Sequence, residues 1–226
     1  MSSGYHEGEF IGAPFDSSLP TLLPDTGAKM VAFEDFMPDG WSDDLRNWGV
    51  KNKDKLYQSA KPGSQAFERG WHLKEVEKAY PRCDEFFEQV QRYAPQALAE
   101  IGAPFEFGNE FTFEMWLCCR LEDQCFHWHT DMDDKPMSEQ TRLLTCCYYM
   151  RQTPSRFFGG EHETYDGTMV EPWDNLAVFA SPYQTHRVRP VHAQPMGPPC
   201  KKVWPDVEPL SMAEGRWNLT CWVHKA

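Results

Sequence analysis

The run Phe126-His127-Trp128-His129-Thr130-Asp131 carries the sharpest chemical signal in the chain. On a strand, alternate side chains share a face, so positions 127, 129 and 131 line one side. His129 and Asp131 then offer an imidazole and a carboxylate side by side, able to grip one cation. A third ligand has to come from another strand. His186 is the best placed, because it follows the apolar run Leu176 to Ala180 and opens another strand-like segment. Two imidazoles and one carboxylate with open positions suit non-haem Fe(II) and also zinc, so the ligand types alone do not choose the metal. His127 is an alternative to His129 or a residue of the site's mouth, and the role expected for it is behind the ligands or on the substrate side. A regular strand sets it about 7 Å from its i+2 neighbour.

The elements that must hold these residues are mostly strands. From Phe105 onward the segments FEFGNEFTFEMWLCCRL, FHWHTDM, TRLLTCCYYM, GGEHETY, NLAVFA, THRVRPV and RWNLTCWVH follow one another, rich in β-branched and aromatic residues and separated by turn residues. Upstream, Phe67, Trp71 and Val76, then Phe86, Phe87, Val90, Tyr93 and Leu98, recur near helical spacing, with Pro81 between two predicted helices. The expected architecture is mainly β: a double-stranded β-helix, or jelly roll, with N-terminal helices packed outside. The chain reads as one domain, 1–226. An irregular arm spans 1–62, helices 63–103 and the jelly-roll core 104–226, with a Pro-rich insert at 192–215 (Pro195, Pro198, Pro199, Pro205, Pro209).

With 226 residues, 41% hydrophobic and 25% charged, the chain can bury a full core and is not wholly disordered. Lys and Arg total 22 against 34 Asp and Glu, a net charge of −12. That balance speaks against a nucleic-acid-binding surface or a face for anionic membranes. No apolar run approaches the ~18 residues of a spanning helix, and MSSGYHEGEF has no basic or apolar region of a secretory signal. None of the eight cysteines forms C-x-x-C. They read as reduced thiols of a cytoplasmic protein, with one buried and one outward member in each of the pairs Cys118-Cys119 and Cys146-Cys147.

Five segments in order, from about Met115 to Trp222, resemble the prolyl hydroxylase group of Fe(II)/2-oxoglutarate dioxygenases, especially the oxygen-sensing type. His129-Thr130-Asp131 matches the family's His-x-Asp pair. Thr141 to Met150 is similar to the strand that follows it, and Phe158-Gly159-Gly160-Glu161 to its Gly-Gly-Glu turn. Leu176-Ala177-Val178-Phe179 with His186-x-Val188-x-Pro190-Val191 matches the strand pair bearing the distal histidine. Arg216-Trp217-Asn218-Leu219-Thr220-Cys221-Trp222 resembles the closing strand. The resemblance implies Fe(II) on His129, Asp131 and His186, with 2-oxoglutarate and O2 as cosubstrates and ascorbate as a candidate reductant. It also implies that Arg216 and Tyr149 bind the distal carboxylate of 2-oxoglutarate. Asn218 and Thr220 share Arg216's face on a regular strand.

There are departures from the family. The gap from His186 to Arg216 is 30 residues, where the family usually places its basic residue about ten after the histidine. Arg187 and Arg189 come too early, and Lys201 and Lys202 compete for the role. Cys119 stands where the oxygen-sensing enzymes carry tyrosine, and Arg151 where they carry asparagine. The implied activity is hydroxylation of an unactivated C–H on a prolyl or amino-acid-like substrate, peptide or small molecule. The carboxylate at Asp131 argues against halogenation. A small-molecule tailoring oxygenase (hydroxylation, desaturation or cyclisation) is the alternative within the same chemistry. A catalytically silent metal-binding jelly roll used for interaction is the alternative from another class.

Overall fold

The computed structural model describes residues 30–59, 70–102, 111–132, 141–193 and 208–225. Its elements are β1 (Met30–Phe33), α1 (Trp41–Lys51), β2 (Tyr57–Gln58), β3 (Trp71–Lys74), α2 (Cys83–Ile101), β4 (Phe111–Arg120), β5 (Phe126–His129), β6 (Arg142–Met150), β7 (Phe158–Gly159), β8 (His162–Thr164), β9 (Met169–Val170), β10 (Leu176–Ala180), β11 (His186–Val188), β12 (Val191–His192) and β13 (Arg216–Lys225). Strands β1-β10-β6-β13-β4-β3-β2 form one antiparallel sheet and β5-β11-β8-β9 a second, with β12 and β7 paired apart. The mainly β, jelly-roll architecture expected from the sequence is the one found.

Strand alternation explains how the large sheet serves two purposes. Along β13, Trp217, Leu219, Cys221 and Val223 lie in the main core with Leu117 and Met115 of β4, Leu144 and Tyr148 of β6, and Phe179 of β10. The intervening residues Arg216, Asn218, Thr220 and Trp222 face the other way, toward the small sheet. Helices α1 and α2 cover the apolar face. In α2, Phe86, Val90, Ala94, Ala97, Leu98 and Ile101 recur at i+3 and i+4 and are buried. Fully burying a side chain such as Phe86 or Val90 stabilises by about 1.5–3 kcal/mol. The helix ends at Gly102, whose φ of 69° is the left-handed conformation that glycine adopts without a Cβ penalty. In α1, Gly49 lets the helix approach the sheet, since a Cβ there would sit 2.7 Å from the Trp217 ring.

Two sequence expectations need correction. Trp71–Lys74, assigned to the helical part, is strand β3, paired with β4. Its Trp71 and Leu73 pack on the main core while His72 is buried on the opposite face, so the apparent helical spacing gave way to sheet pairing. In the N-terminal arm, the described residues form strand β1 and helix α1. In the two adjacent cysteine pairs all four thiols are buried, because helices cover one face of the large sheet and the small sheet and the site cover the other. No disulfide joins the seven described cysteines. Of the Pro-rich insert, 194–207 lies outside the described residues. No described helix is long and apolar enough to cross a membrane.

Candidate active site

Strands β5 and β11 pair antiparallel with His129 directly opposite His186, which sets their ring centroids 4.2 Å apart. Each imidazole is oriented from behind. His129 Nδ1 lies 2.7 Å from the His127 carbonyl and His186 Nδ1 lies 2.9 Å from the Gln184 carbonyl. A carbonyl only accepts, so both Nδ1 atoms carry hydrogen and Nε2 is the nitrogen that each ring presents to the site. Those Nε2 atoms converge on Asp131, at 3.5 Å from Oδ1 for His129 and 3.8 Å from Oδ2 for His186. The three ligand atoms all lie within 4.8 Å of one another.

Asp131 sits beyond the end of β5. Its N–H donates to the Pro182 carbonyl at 2.9 Å, in the turn leading to β11. Its carbonyl accepts from Arg142 Nη1 at 2.7 Å. The Phe126 ring stacks on His129 at 3.6 Å. Burial pushes the Asp131 carboxyl up, but His186 and His129 outweigh that and hold it below the usual carboxylate range. Burial, then His129, lowers His186 to about 4, so its imidazole is neutral and basic toward a cation.

A second cluster lies on the same interior face. Arg216 opens β13, opposite Arg120 of β4, and both are buried. Arg216 Nε donates to the Gly160 carbonyl at 2.8 Å and Nη1 to Asn218 Oδ1 at 2.6 Å. Arg120 Nη1 shares that Asn218 oxygen at 3.1 Å, and Asn218 Nδ2 donates to Thr220 Oγ1 at 2.8 Å. The Arg216 guanidinium lies 5.0 Å from the centre of the Tyr149 ring. No described carboxylate comes within ion-pair distance of Arg216. Burial, with Arg120 adding repulsion, lowers its pKa to about 10. A buried guanidinium without a counter-ion is costly, and an anionic ligand would relieve that cost.

Residues 115–224, just under half of the chain, match the family model described as 2OG-Fe(II) oxygenase superfamily. This part of the chain belongs to that superfamily. The oxygenase is a 2-oxoglutarate-dependent dioxygenase, and its family uses Fe(II), 2-oxoglutarate and O2. In fold it is similar to a viral collagen prolyl hydroxylase from Paramecium Bursaria Chlorella virus-1, solved with 2OG. That likeness has a TM-score of 0.61 at 13% identity, over 88% of this chain and 98% of that one. A Pseudomonas putida prolyl-4-hydroxylase gives a TM-score of 0.60 at 14% identity, over 88% and 94%. HygX from Streptomyces hygroscopicus, solved with nickel and 2-oxoglutarate, gives 0.52 at 11% identity, over 88% and 83%. No curated protein matches the chain in sequence.

The residues present fit these cofactors. Two imidazoles that turn Nε2 toward one ionised carboxylate form a donor set for a divalent cation with open positions. Arg216, with no acidic partner among the described residues, suits a carboxylate, to which a guanidinium can donate twice. The structure therefore brings together His129, Asp131 and His186, and separately Arg216 and Tyr149. The 30-residue gap before Arg216 does not displace it, because β13 lies between β6 and β4 in the large sheet. Arg187 and Arg189 are occupied elsewhere, by Glu163 and Glu161. Lys201 and Lys202 lie outside the described residues. The His127 side chain is exposed and contributes its carbonyl to His129, and Trp128 faces away, against Tyr165 and Arg187.

Sequence reasoning missed three residues of the oxygenase. Arg120 ends the strand-like run MWLCCR, and its strand parity matches Cys118. His162 stands two residues after Gly160 and is buried, with its Nδ1 3.3 Å from the Tyr149 hydroxyl. Arg142 reaches Glu114 with Nη2 at 2.9 Å while its guanidinium lies 4.4 Å from the Trp222 ring centre. Trp222 meets Trp116 edge-on at 5.2 Å, and Lys74 Nζ lies 4.0 Å from the Trp116 ring centre. Arg142 thus links the Asp131 carbonyl to the edge-to-face pair of Trp222 on β13 and Trp116 on β4.

Proposed function

We propose that the oxygenase hydroxylates an unactivated C–H of a prolyl or amino-acid-like substrate, with the chain working as one catalytic unit. His129 Nε2, His186 Nε2 and the Asp131 carboxylate hold Fe(II), and Arg216 with the Tyr149 hydroxyl binds the distal carboxylate of 2-oxoglutarate. Bound iron supplies the coupling of 2-oxoglutarate decarboxylation to O2 activation. The protein's own contribution is orientation and charge. The His127 and Gln184 carbonyls fix the two imidazole tautomers. Arg216 neutralises the incoming carboxylate in a buried pocket where that charge interaction is strong. Asn218 holds the planes of Arg216 and Arg120 together. The single observation that carries the reading is the convergence of two Nε2 atoms on Asp131 together with a buried Arg216 that no described carboxylate reaches.

One observation supports the substrate class: the fold is shared with prolyl hydroxylases. The test is succinate formation by anaerobically purified protein given Fe(II), ascorbate and 2-oxoglutarate and then O2, with proline-containing peptides, free amino acids and small natural products offered in turn. Succinate should rise with a prolyl or amino-acid substrate and fall at least 100-fold in Asp131→Ala and Arg216→Ala. Near-normal turnover in either variant refutes the site assignment. Coupling only to an unrelated small molecule refutes the substrate class and leaves the site standing.

A further inference from the structure

We propose that His162 is a positioning residue for 2-oxoglutarate: its Nδ1–H donates to the Tyr149 oxygen and turns the tyrosine's own hydrogen toward the cosubstrate's distal carboxylate. This rests on the assignment of Arg216 and Tyr149 to that carboxylate.

His162 lies on β8, opposite Val188 and two residues before Thr164, which faces His186. Its ring stacks on His186 at 4.5 Å with a 14° interplanar angle. Its Nδ1 is 3.3 Å from the Tyr149 hydroxyl. The residue is 2% exposed, and its Nε2 is buried with no partner among the described residues. His162 therefore bridges the two clusters, touching His186 of one and Tyr149 of the other.

The tautomer follows from the unpartnered atom. A neutral imidazole carries one hydrogen, on Nδ1 or on Nε2. Placed on Nε2, that hydrogen would be a buried donor without an acceptor, and orphaned buried N–H groups are rarer than under-satisfied acceptors. The hydrogen therefore belongs on Nδ1, where the Tyr149 oxygen accepts it. Tyr149 then has no reason to donate to His162, and its hydroxyl hydrogen is free for an anion beside Arg216. With the other tautomer, Tyr149 would spend its hydrogen on His162 Nδ1 and present only lone pairs to the carboxylate. One chain segment sets both anion-binding groups: the Gly160 carbonyl holds Arg216, and two residues later His162 holds Tyr149.

The test measures binding of 2-oxoglutarate to the full chain loaded with Mn(II), without O2, by calorimetry. The variants are His162→Asn, His162→Gln and His162→Leu, alone and combined with Tyr149→Phe. An Asn amide can replace the Nδ1–H donor, whereas a Gln amide reaches the Nε2 position. His162→Leu should weaken 2-oxoglutarate about tenfold, His162→Asn should recover most of that loss, and His162→Gln should not. In the Tyr149→Phe background His162→Leu should cost less than a further twofold, because the residue acts through the tyrosine.

Rescue by Gln and not by Asn overturns the proposal and makes His162 a direct Nε2–H donor. Equal losses in the two backgrounds also overturn it. So does a larger loss of Mn(II) affinity than of 2-oxoglutarate affinity, which would make His162 a packing support for His186. If His162→Leu does not fold, the Asn and Gln variants carry the comparison. Failure of the wild-type chain to bind 2-oxoglutarate overturns the pocket assignment itself. Wild-type binding that is unchanged in His162→Leu overturns the role of His162 alone.

Discussion

Gly160 provides a way to weaken the cosubstrate site from a residue that offers only a backbone carbonyl. Its φ is +73°, and a Cβ built there would lie 2.7 Å from Arg216 Cδ and 3.0 Å from Arg216 Nε. That Nε donates to the Gly160 carbonyl at 2.8 Å. Gly160→Ala therefore has two separable costs. The left-handed backbone costs roughly 1–2 kcal/mol for a residue with a Cβ. Displacing Arg216 forfeits a hydrogen bond to a charged group, worth about 1.5–3 kcal/mol, and moves the guanidinium from its place beside Tyr149.

Gly167 is the matched control. Its φ is +88°, and a Cβ added there would meet nothing within 4 Å, so Gly167→Ala should show the backbone cost alone. Thermal denaturation should show both variants less stable than wild type, Gly160→Ala the more so. Calorimetry with Mn(II) should show 2-oxoglutarate binding weakened about 10- to 100-fold in Gly160→Ala, each tenfold being about 1.4 kcal/mol, and unchanged in Gly167→Ala. A folded Gly160→Ala with wild-type 2-oxoglutarate affinity would refute the claim that this turn positions Arg216. Equal losses in both variants would refute it too, by tracing the effect to backbone strain.

Two further expectations come from buried groups outside the metal ligands. Arg120 shares Asn218 with Arg216, so Arg120→Met should raise the KM for 2-oxoglutarate about tenfold by removing half of the pocket's positive charge; an unchanged KM would mean that Arg120 only supports the strand. His72 is buried against Cys118, with its Nδ1 3.2 Å from Sγ; burial, then Arg120 and Lys74, lowers its pKa to about 3. The unfolded chain protonates this histidine near its ordinary pKa of about 6.5 and the folded chain does not, so its contribution is complete above about pH 6.5 and stability is lost as pH falls toward about 3. Between pH 7 and pH 5 the loss from His72 is about 2 kcal/mol. Urea denaturation of metal-free protein at both pH values should show His72→Phe losing about that much less than wild type, and equal losses would refute the assignment.

Spacing on single strands was enough to read much of this protein. The alternation in Arg216-Trp217-Asn218-Leu219-Thr220 assigns Arg216, Asn218 and Thr220 to one face, because a strand has a period of two whatever surrounds it. The order of the segments around His129, Asp131, His186, Tyr149 and Arg216 carries the family, since those side chains do chemistry that few substitutes can do. Tertiary pairing decided the rest. Trp71–Lys74 became a strand because the edge of β4 was available to it, a preference that no local period encodes. The His-x-Asp spacing favours His129 over His127, and the register of β5 against β11 decides it by setting His129 opposite His186. Arg120 and His162 gave no local signal, since an arginine or a histidine at a strand end is ordinary. They join the site because β4 lies beside β13 and the small sheet faces β6, and contacts across such distances in sequence are set by how the two sheets close on each other.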